Sequence, residues 1–442
     1  MLINREDFKR YFYVFNAIII AVLLVIISDN ILFHLGVIIT LVVMVVLATK
    51  LNFSHPYFWF SVFFFLYNCA YMMIIIIEPN DILANGYNKL SSILIILSLG
   101  ITLLSIGTHT YLYDYKKLAN PIKYNYDLSL IRHIFVFLLL ILLLCIVVLQ
   151  IQGVTSKSEQ WANHNMFWVV ATYCTRFITF IVALRLFMTG NKPGTKKMIL
   201  VASIVIGAFS LMTGERDALL RLLIILILGL AMLGILRGKH LIFIVPLGIA
   251  VMIIMNYLKY FFSTGELNNS FLLNGNLLYA FLYSDFADSG SNLQVLLGHY
   301  GLDGSQGYSV IFKDVLSSLV PSSIMNSLFG IITNWNVSEW YNDYFYRGST
   351  WNRAFTLIGE GYLIDGIIGV VVLFLLVGLL IKWMYKKSGS SPYYAAFYIY
   401  GAASIIASFR GDLASIFTGI IRIPVFIIII LWIIKQISFI RK

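Results

Sequence analysis

Six arginines, Arg176, Arg216, Arg221, Arg353, Arg410 and Arg422, stand in or beside apolar runs of this 442-residue chain. A cation deep in a membrane helix costs roughly 2.5 to 3.5 kcal/mol, so each should face protein, water or a bound anion. Guanidinium forks presented at one level from different helices suit a diphosphate, because each can bond phosphate oxygens bidentately and none can lose its charge. Arg216, Arg221, Arg353, Arg410 and Arg422 are therefore candidate diphosphate ligands, and Arg216, Arg353 and Arg410 are also candidate catalytic cations. Taken singly, each could instead snorkel to lipid phosphates or pair with Glu215, Asp217 or Asp412. Chemistry at such a site also needs a proton acceptor. Glu360 is the first candidate, placed about 10 Å beyond Arg353 on a helix rising roughly 1.5 Å per residue. It could equally be a buried partner for one of the arginines. His164 and His299 are alternatives.

The elements that must carry these residues are membrane helices. A chain that is 60% hydrophobic and 12% charged, with mean hydropathy +0.88, has too little polar surface to be soluble. The fold class expected is an all-α polytopic membrane protein of about twelve transmembrane helices. The expected spans are 11–28, 31–49, 56–77, 90–112, 131–150, 166–189, 197–213, 218–236, 240–262, 351–381, 393–410 and 413–435. The charged start of the chain runs directly into the first of them, which argues against a cleaved signal peptide. With both termini in the cytoplasm, twenty of the 31 Lys and Arg residues fall on the inner side, as the positive-inside rule requires. The net charge of +11 follows from that bias and calls for no nucleic-acid partner. Cys69, Cys145 and Cys174 all lie in expected helices and are read as free, buried thiols.

Three regions result: helices one to nine over 1–262, a large outward loop over 263–350, and helices ten to twelve over 351–442. In the loop, 276–283 and 308–319 read as amphipathic helices on the membrane. The stretches Thr333-Asn334-Trp335-Asn336 and Trp340-Tyr341-Asn342-Asp343-Tyr344 mix aromatic rings with amides. That mixture suits sugars, the rings stacking on C–H faces and the amides meeting hydroxyls, so Trp335, Trp340, Tyr341, Asn342 and Tyr344 are candidate glycan contacts. An interfacial aromatic belt would show the same composition. Asp285 and Asp288 have a spacing common on solvated helix faces, and no metal or other cofactor is expected.

The segment Asn352-Arg353-Ala354-Phe355-Thr356-Leu357-Ile358-Gly359-Glu360-Gly361-Tyr362 continues through Asp365-Gly366 to Gly369. It resembles the core of the O-antigen polymerases, the oligosaccharide repeat-unit polymerases of bacterial surface polysaccharides. The Gly214-Glu215-Arg216 turn and the late Arg410 are similar to features of the same family. The related O-antigen ligases show a His-Asn where this chain has Trp351-Asn352-Arg353, which favours polymerase over ligase. A lipid-linked oligosaccharide flippase would show repeated halves, and none is found.

The resemblance implies a GT-C-like architecture in the bacterial inner membrane with its active site facing the periplasm. It also implies an undecaprenyl-diphosphate-linked oligosaccharide donor and acceptor, inverting transfer with undecaprenyl diphosphate leaving, and a chain-length regulator as a possible partner.

Overall fold

The computed structural model describes residues 5–49, 51–78, 86–107, 113–119, 123–153, 165–236, 240, 243, 246, 248–251, 253–254, 257, 277–282, 285–300, 306–319, 337–347 and 353–440. Every regular element among them is helical. In chain order these are α1 (Arg5–Ile27), α2 (Ile31–Ala48), α3 (Pro56–Ile77), α4 (Lys89–Ile106), α5 (Tyr115–Leu118), α6 (Asn125–Ile151), α7 (Met166–Thr189), α8 (Pro193–Thr213) and α9 (Arg216–Met232). There follow α10 (Leu277–Leu282), α11 (Asp285–Tyr300), α12 (Ser309–Leu319), α13 (Val337–Phe345), α14 (Leu357–Lys387), α15 (Pro392–Ser408) and α16 (Leu413–Phe417). A π-helical stretch, Thr418–Val425, then leads into α17 (Phe426–Ile440). The expected span 240–262 falls mostly outside the described residues.

Polar side chains set where these helices begin. Asn30 accepts hydrogen bonds from the amides of Leu32 and Phe33, Asn88 from Leu90, and Asn165 from Phe167 and Trp168. His55 caps α3, with Pro56 in the first turn, where a missing N–H costs nothing. Eight helical segments among the described residues are long and apolar enough to cross a membrane. On α6 the stripe Phe137, Leu140, Leu144, Val147 and Ile151 is exposed along one face at helical spacing. Water would not tolerate that stripe; lipid does.

The chain divides into two compact units. The first takes residues 1–111, 276–385 and 405–418. Its core is built on α3, whose Phe60 and Phe64 meet the ring of Phe409 edge-on at 5.2 and 5.4 Å. Helix α11, from the large loop, lies directly on α3, where a Cβ added to Gly290 would meet the Tyr71 Cβ at 2.6 Å. The second unit takes 112–275, 386–404 and 419–442 and is centred on α7, which packs against α6, α8 and α9.

One element departs from the sequence reading. The tenth span was expected over 351–381, with Arg353 at its start, but 353–356 is non-helical and the helix begins at Leu357 and runs to Lys387. It is also broken. Asp365 (φ −163°, ψ 50°) and Gly366 (φ 54°, ψ −134°) interrupt it, the latter in a region that only glycine enters readily. The break folds the short first half back onto the start of the second, so that Gly369 reaches the backbone of Gly361, eight residues earlier. An unbroken helix would hold those two residues about 12 Å apart. The carbonyls freed at Leu363 and Ile364 accept the amides of Gln306 and Gly307, both at 3.0 Å. A Cβ on Gly369 would collide with the Gly361 carbonyl oxygen, so Gly369→Ala should cost about 1 to 3 kcal/mol. The thermal midpoint of the protein in detergent measures this, with Gly36→Ala, where a Cβ meets nothing within 4 Å, as the unaffected control.

Candidate active site

In the second unit the chain gathers arginines from three helical segments. Gly214, left-handed at φ 68°, ends α8; Glu215 then stands at the residue before α9, without a side-chain capping bond, and Arg216 opens the helix. Glu215 and Arg216 are both buried. Asp217 lies in the first turn of α9, where the helix dipole favours a carboxylate. Its Oδ2 accepts from Nε of Arg221 at 2.7 Å and lies 3.8 Å from a guanidinium nitrogen of Arg176 on α7. Arg221 also donates from Nη1 to the Ser404 hydroxyl at 3.0 Å. Arg176 lies 5.9 Å from the ring centroid of Tyr173, and the hydroxyl of that tyrosine accepts from Arg422 at 3.4 Å.

Arg422 is carried by the π-helical stretch, a geometry that recurs at functional sites; Pro424 within it lacks the N–H that a regular α-helix would use. The same stretch approaches Arg221 closely, since a Cβ on Gly419 would meet Arg221 Nη1 at 3.7 Å. Arg176 keeps one buried N–H, at Nε, with no hydrogen-bond partner among the described residues. Arg176, Arg221 and Arg422 are thus joined through Asp217 and Tyr173, with Arg216 in the same turn as Asp217. The pairing of Arg221 with Asp217 is legible as an i,i+4 spacing, but Tyr173 and Ser404 enter from 249 and 183 residues away and leave no local signal.

Arg353 and Arg410 belong to the first unit. The extended segment that carries Arg353 has its backbone held by two side-chain amides. Asn342 accepts the Arg353 N–H at 2.6 Å and donates to the Arg353 carbonyl at 3.0 Å, while Asn292 donates to the carbonyl of Ala354. The half-exposed guanidinium meets Asp288 at 3.4 Å and lies over the Tyr346 ring. Asp288 is therefore an ion-pair partner of Arg353 on a part-exposed face of α11. Arg410 follows the core residue Phe409 in a tight turn closed by the Gly411 N–H on the Ser408 carbonyl. Asp412 ends that turn and caps α16 through Ser415.

Glu360 is fully buried in the short first half of α14. It accepts the N–H of Leu413, the first residue of α16, at 2.6 Å. Because Arg353 precedes the helix, the two are not related by a distance along one helix as the sequence suggested. The groups acting on Glu360 most strongly are two more buried carboxyls, Asp314 of α12 and Asp412. Glu360 and Asp314 lie close enough to act on each other electrostatically, and a hydrogen bond between them would require a proton on one of the two. Burial first, and the charge of Asp412 second, push the Asp314 carboxyl up from 3.8 to about 8. A carboxyl raised by folding stabilises the folded state fully only below its ordinary value and loses that contribution as pH rises through its folded one. Stability should therefore fall between about pH 4 and pH 8, and Asp314→Asn should flatten that slope in thermal melts across pH.

Among the candidate glycan residues, helical period decides which are accessible. Trp340 and Tyr344, four residues apart on α13, stack at 5.4 Å with rings 23° apart, and Tyr344 is exposed. His299 donates to or accepts from the Tyr344 hydroxyl at 3.0 Å. Tyr341 faces inward, fully buried against Phe345, Tyr346 and Phe355, with its hydroxyl on the Asn292 carbonyl. The amide of Asn342 is committed to the backbone of Arg353. Trp335 and His164 lie outside the described residues.

No curated protein and no solved structure matches the chain. Residues 9–442, essentially all of it, match the family described as O-antigen polysaccharide polymerase Wzy. The chain belongs to that family, whose members are multi-pass membrane enzymes that polymerise lipid-linked oligosaccharide repeat units into polysaccharide.

Proposed function

We propose that the chain joins repeat units carried on undecaprenyl diphosphate, at the periplasmic face of the bacterial inner membrane and with inversion at the anomeric carbon. The observation that supports this reading best is the set Arg176, Arg221 and Arg422, linked within one unit through Asp217 and Tyr173, with Arg216 beside it. Four guanidinium groups brought together in one unit present forked N–H donors of the kind that bind phosphate oxygens. When the glycosyl bond breaks, negative charge develops on the departing diphosphate. Fixed cations stabilise it without reorganising and need no metal to do so. Arg353 and Arg410 are assigned to the same electrostatic task.

The acceptor sugar hydroxyl gives its proton to Glu360, and Trp340 and Tyr344 offer a stacking surface for glycan. The distribution of Lys and Arg supports cytoplasmic termini and hence a periplasmic loop.

Deleting the gene and separating surface glycans on a gel tests this reading. Single repeat units on the lipid core are expected, with a ladder restored by the wild-type chain but not by Arg216→Ala or Arg410→Ala at equal protein level. Accumulation of full-length lipid-linked polymer in the deletion strain would instead identify a ligase. A normal ladder from Arg216→Ala would remove that residue from the mechanism.

A further inference from the structure

Glu360 cannot act as a base through many turnovers unless the proton it gains has somewhere to go, and it is fully buried. One of its oxygens, Oε2, is held by the Leu413 N–H. The other, Oε1, meets no N–H or hydroxyl donor among the described residues. The charged group that acts on Glu360 most strongly is Asp314, another buried carboxyl. Asp314 sits on α12, which packs against α16, so this helix of the large loop brings its carboxyl to Glu360. On the same helix Phe312 and Lys313, the two preceding residues, are exposed, while Asp314 itself is buried.

We infer that Asp314 takes the proton on from Glu360, so that the two carboxyls work as a relay from the reacting hydroxyl to the outer solvent. This rests on Glu360 being the base.

The acceptor oxygen forms its bond to the anomeric carbon as the carbon–oxygen bond to diphosphate breaks, and that bond's electron pair leaves with the diphosphate. The hydroxyl proton passes to Glu360, then to Asp314, then to water. One proton is released per bond formed, and Glu360 returns to its carboxylate. Asp314 touches no substrate in this scheme and acts through Glu360. The other charged groups acting on it are Asp412 at the cap of α16 and Glu339 of α13, with Lys313 next to it in sequence on its own helix. Burial among carboxyls lifts the Asp314 acid to about 8, which suits a group that must hold a proton briefly and release it near neutral pH.

The test uses the purified full-length chain with lipid-linked repeat units taken from the deletion strain, and follows polymer formation from pH 5.5 to 9. Asp314→Asn should slow turnover at least tenfold, move the rising limb of the pH profile to lower pH, and leave the donor KM unchanged. Asp314→Glu should restore rate and profile. A rate within twofold of wild type and a superimposable profile for Asp314→Asn, with Glu360→Gln inactive, would overturn the relay while leaving Glu360 as base. Full activity in Glu360→Gln would overturn both. Should Asp314→Asn fail to accumulate, Asp314→Glu decides alone: a displaced limb supports the relay, and an unmoved one rejects it.

Discussion

Arg221→Ala should abolish polymer formation, with a loss of at least a hundredfold in turnover. The residue is buried, spends Nε on Asp217 at 2.7 Å and Nη1 on Ser404 at 3.0 Å, and lies within reach of the π-helical stretch that carries Arg422. On the proposed reading, removing it takes a fixed cation from the leaving diphosphate, and it strips Asp217 of its 2.7 Å partner while Arg176 stays at 3.8 Å. Breaking a buried pair on one side costs about 3 to 5 kcal/mol, so loss of fold could mimic loss of chemistry. Arg221→Lys separates the two. It keeps the charge but replaces a planar five-donor fork with a point charge, and should still lose more than tenfold in turnover at near-normal thermal stability. Ser404→Ala removes one neutral hydrogen bond and should cost about 1 kcal/mol of stability with little effect on rate. A wild-type ladder from Arg221→Lys, checked by gel and by turnover of purified protein, would sink the diphosphate assignment.

Glu360→Gln should be inactive yet well folded. Glutamine keeps an oxygen that can accept the Leu413 N–H, so the start of α16 stays anchored, and its amide can donate to Asp314 or Asp412. The substitution removes one of three clustered carboxyls, so thermal stability should hold or rise at neutral pH. Turnover should fall by about a hundredfold to ten-thousandfold, the range by which a positioned base accelerates proton transfer. Parallel thermal melts and polymerisation assays on one preparation distinguish this from a merely structural carboxyl. A variant that melts higher and still builds a normal ladder would show Glu360 to be part of the frame that holds α16.

The membrane class, the approximate position of most helices and the arginines set in apolar runs were all legible in the chain. Each depends on short-range regularities: apolar runs long enough for a bilayer, a turn such as Gly214-Glu215-Arg216, and charges where lipid would exclude them. The accessible face of α13 was legible in principle too. A period of 3.6 separates Trp340 and Tyr344 from Tyr341, although an aromatic stretch read as composition treats all three alike.

The start and shape of α14 were not legible. The peptides of residues 353–356 are partly satisfied by Asn342 and Asn292, side chains that reach them only once α11 and α13 have packed. The break at Asp365 and Gly366 survives because Gln306 and Gly307, about sixty residues earlier, take up the freed carbonyls.

The sequence by itself determined that this is a membrane polymerase of known family pattern and which cations it carries, because hydropathy, charge and short motifs are local properties of a chain. Only the tertiary structure decided that Arg176, Arg221 and Arg422 meet through Asp217 and Tyr173, and that Glu360 keeps company with Asp314 and Asp412. Those partners are distant in sequence, and what brings them together is the packing of helices that no local spacing encodes.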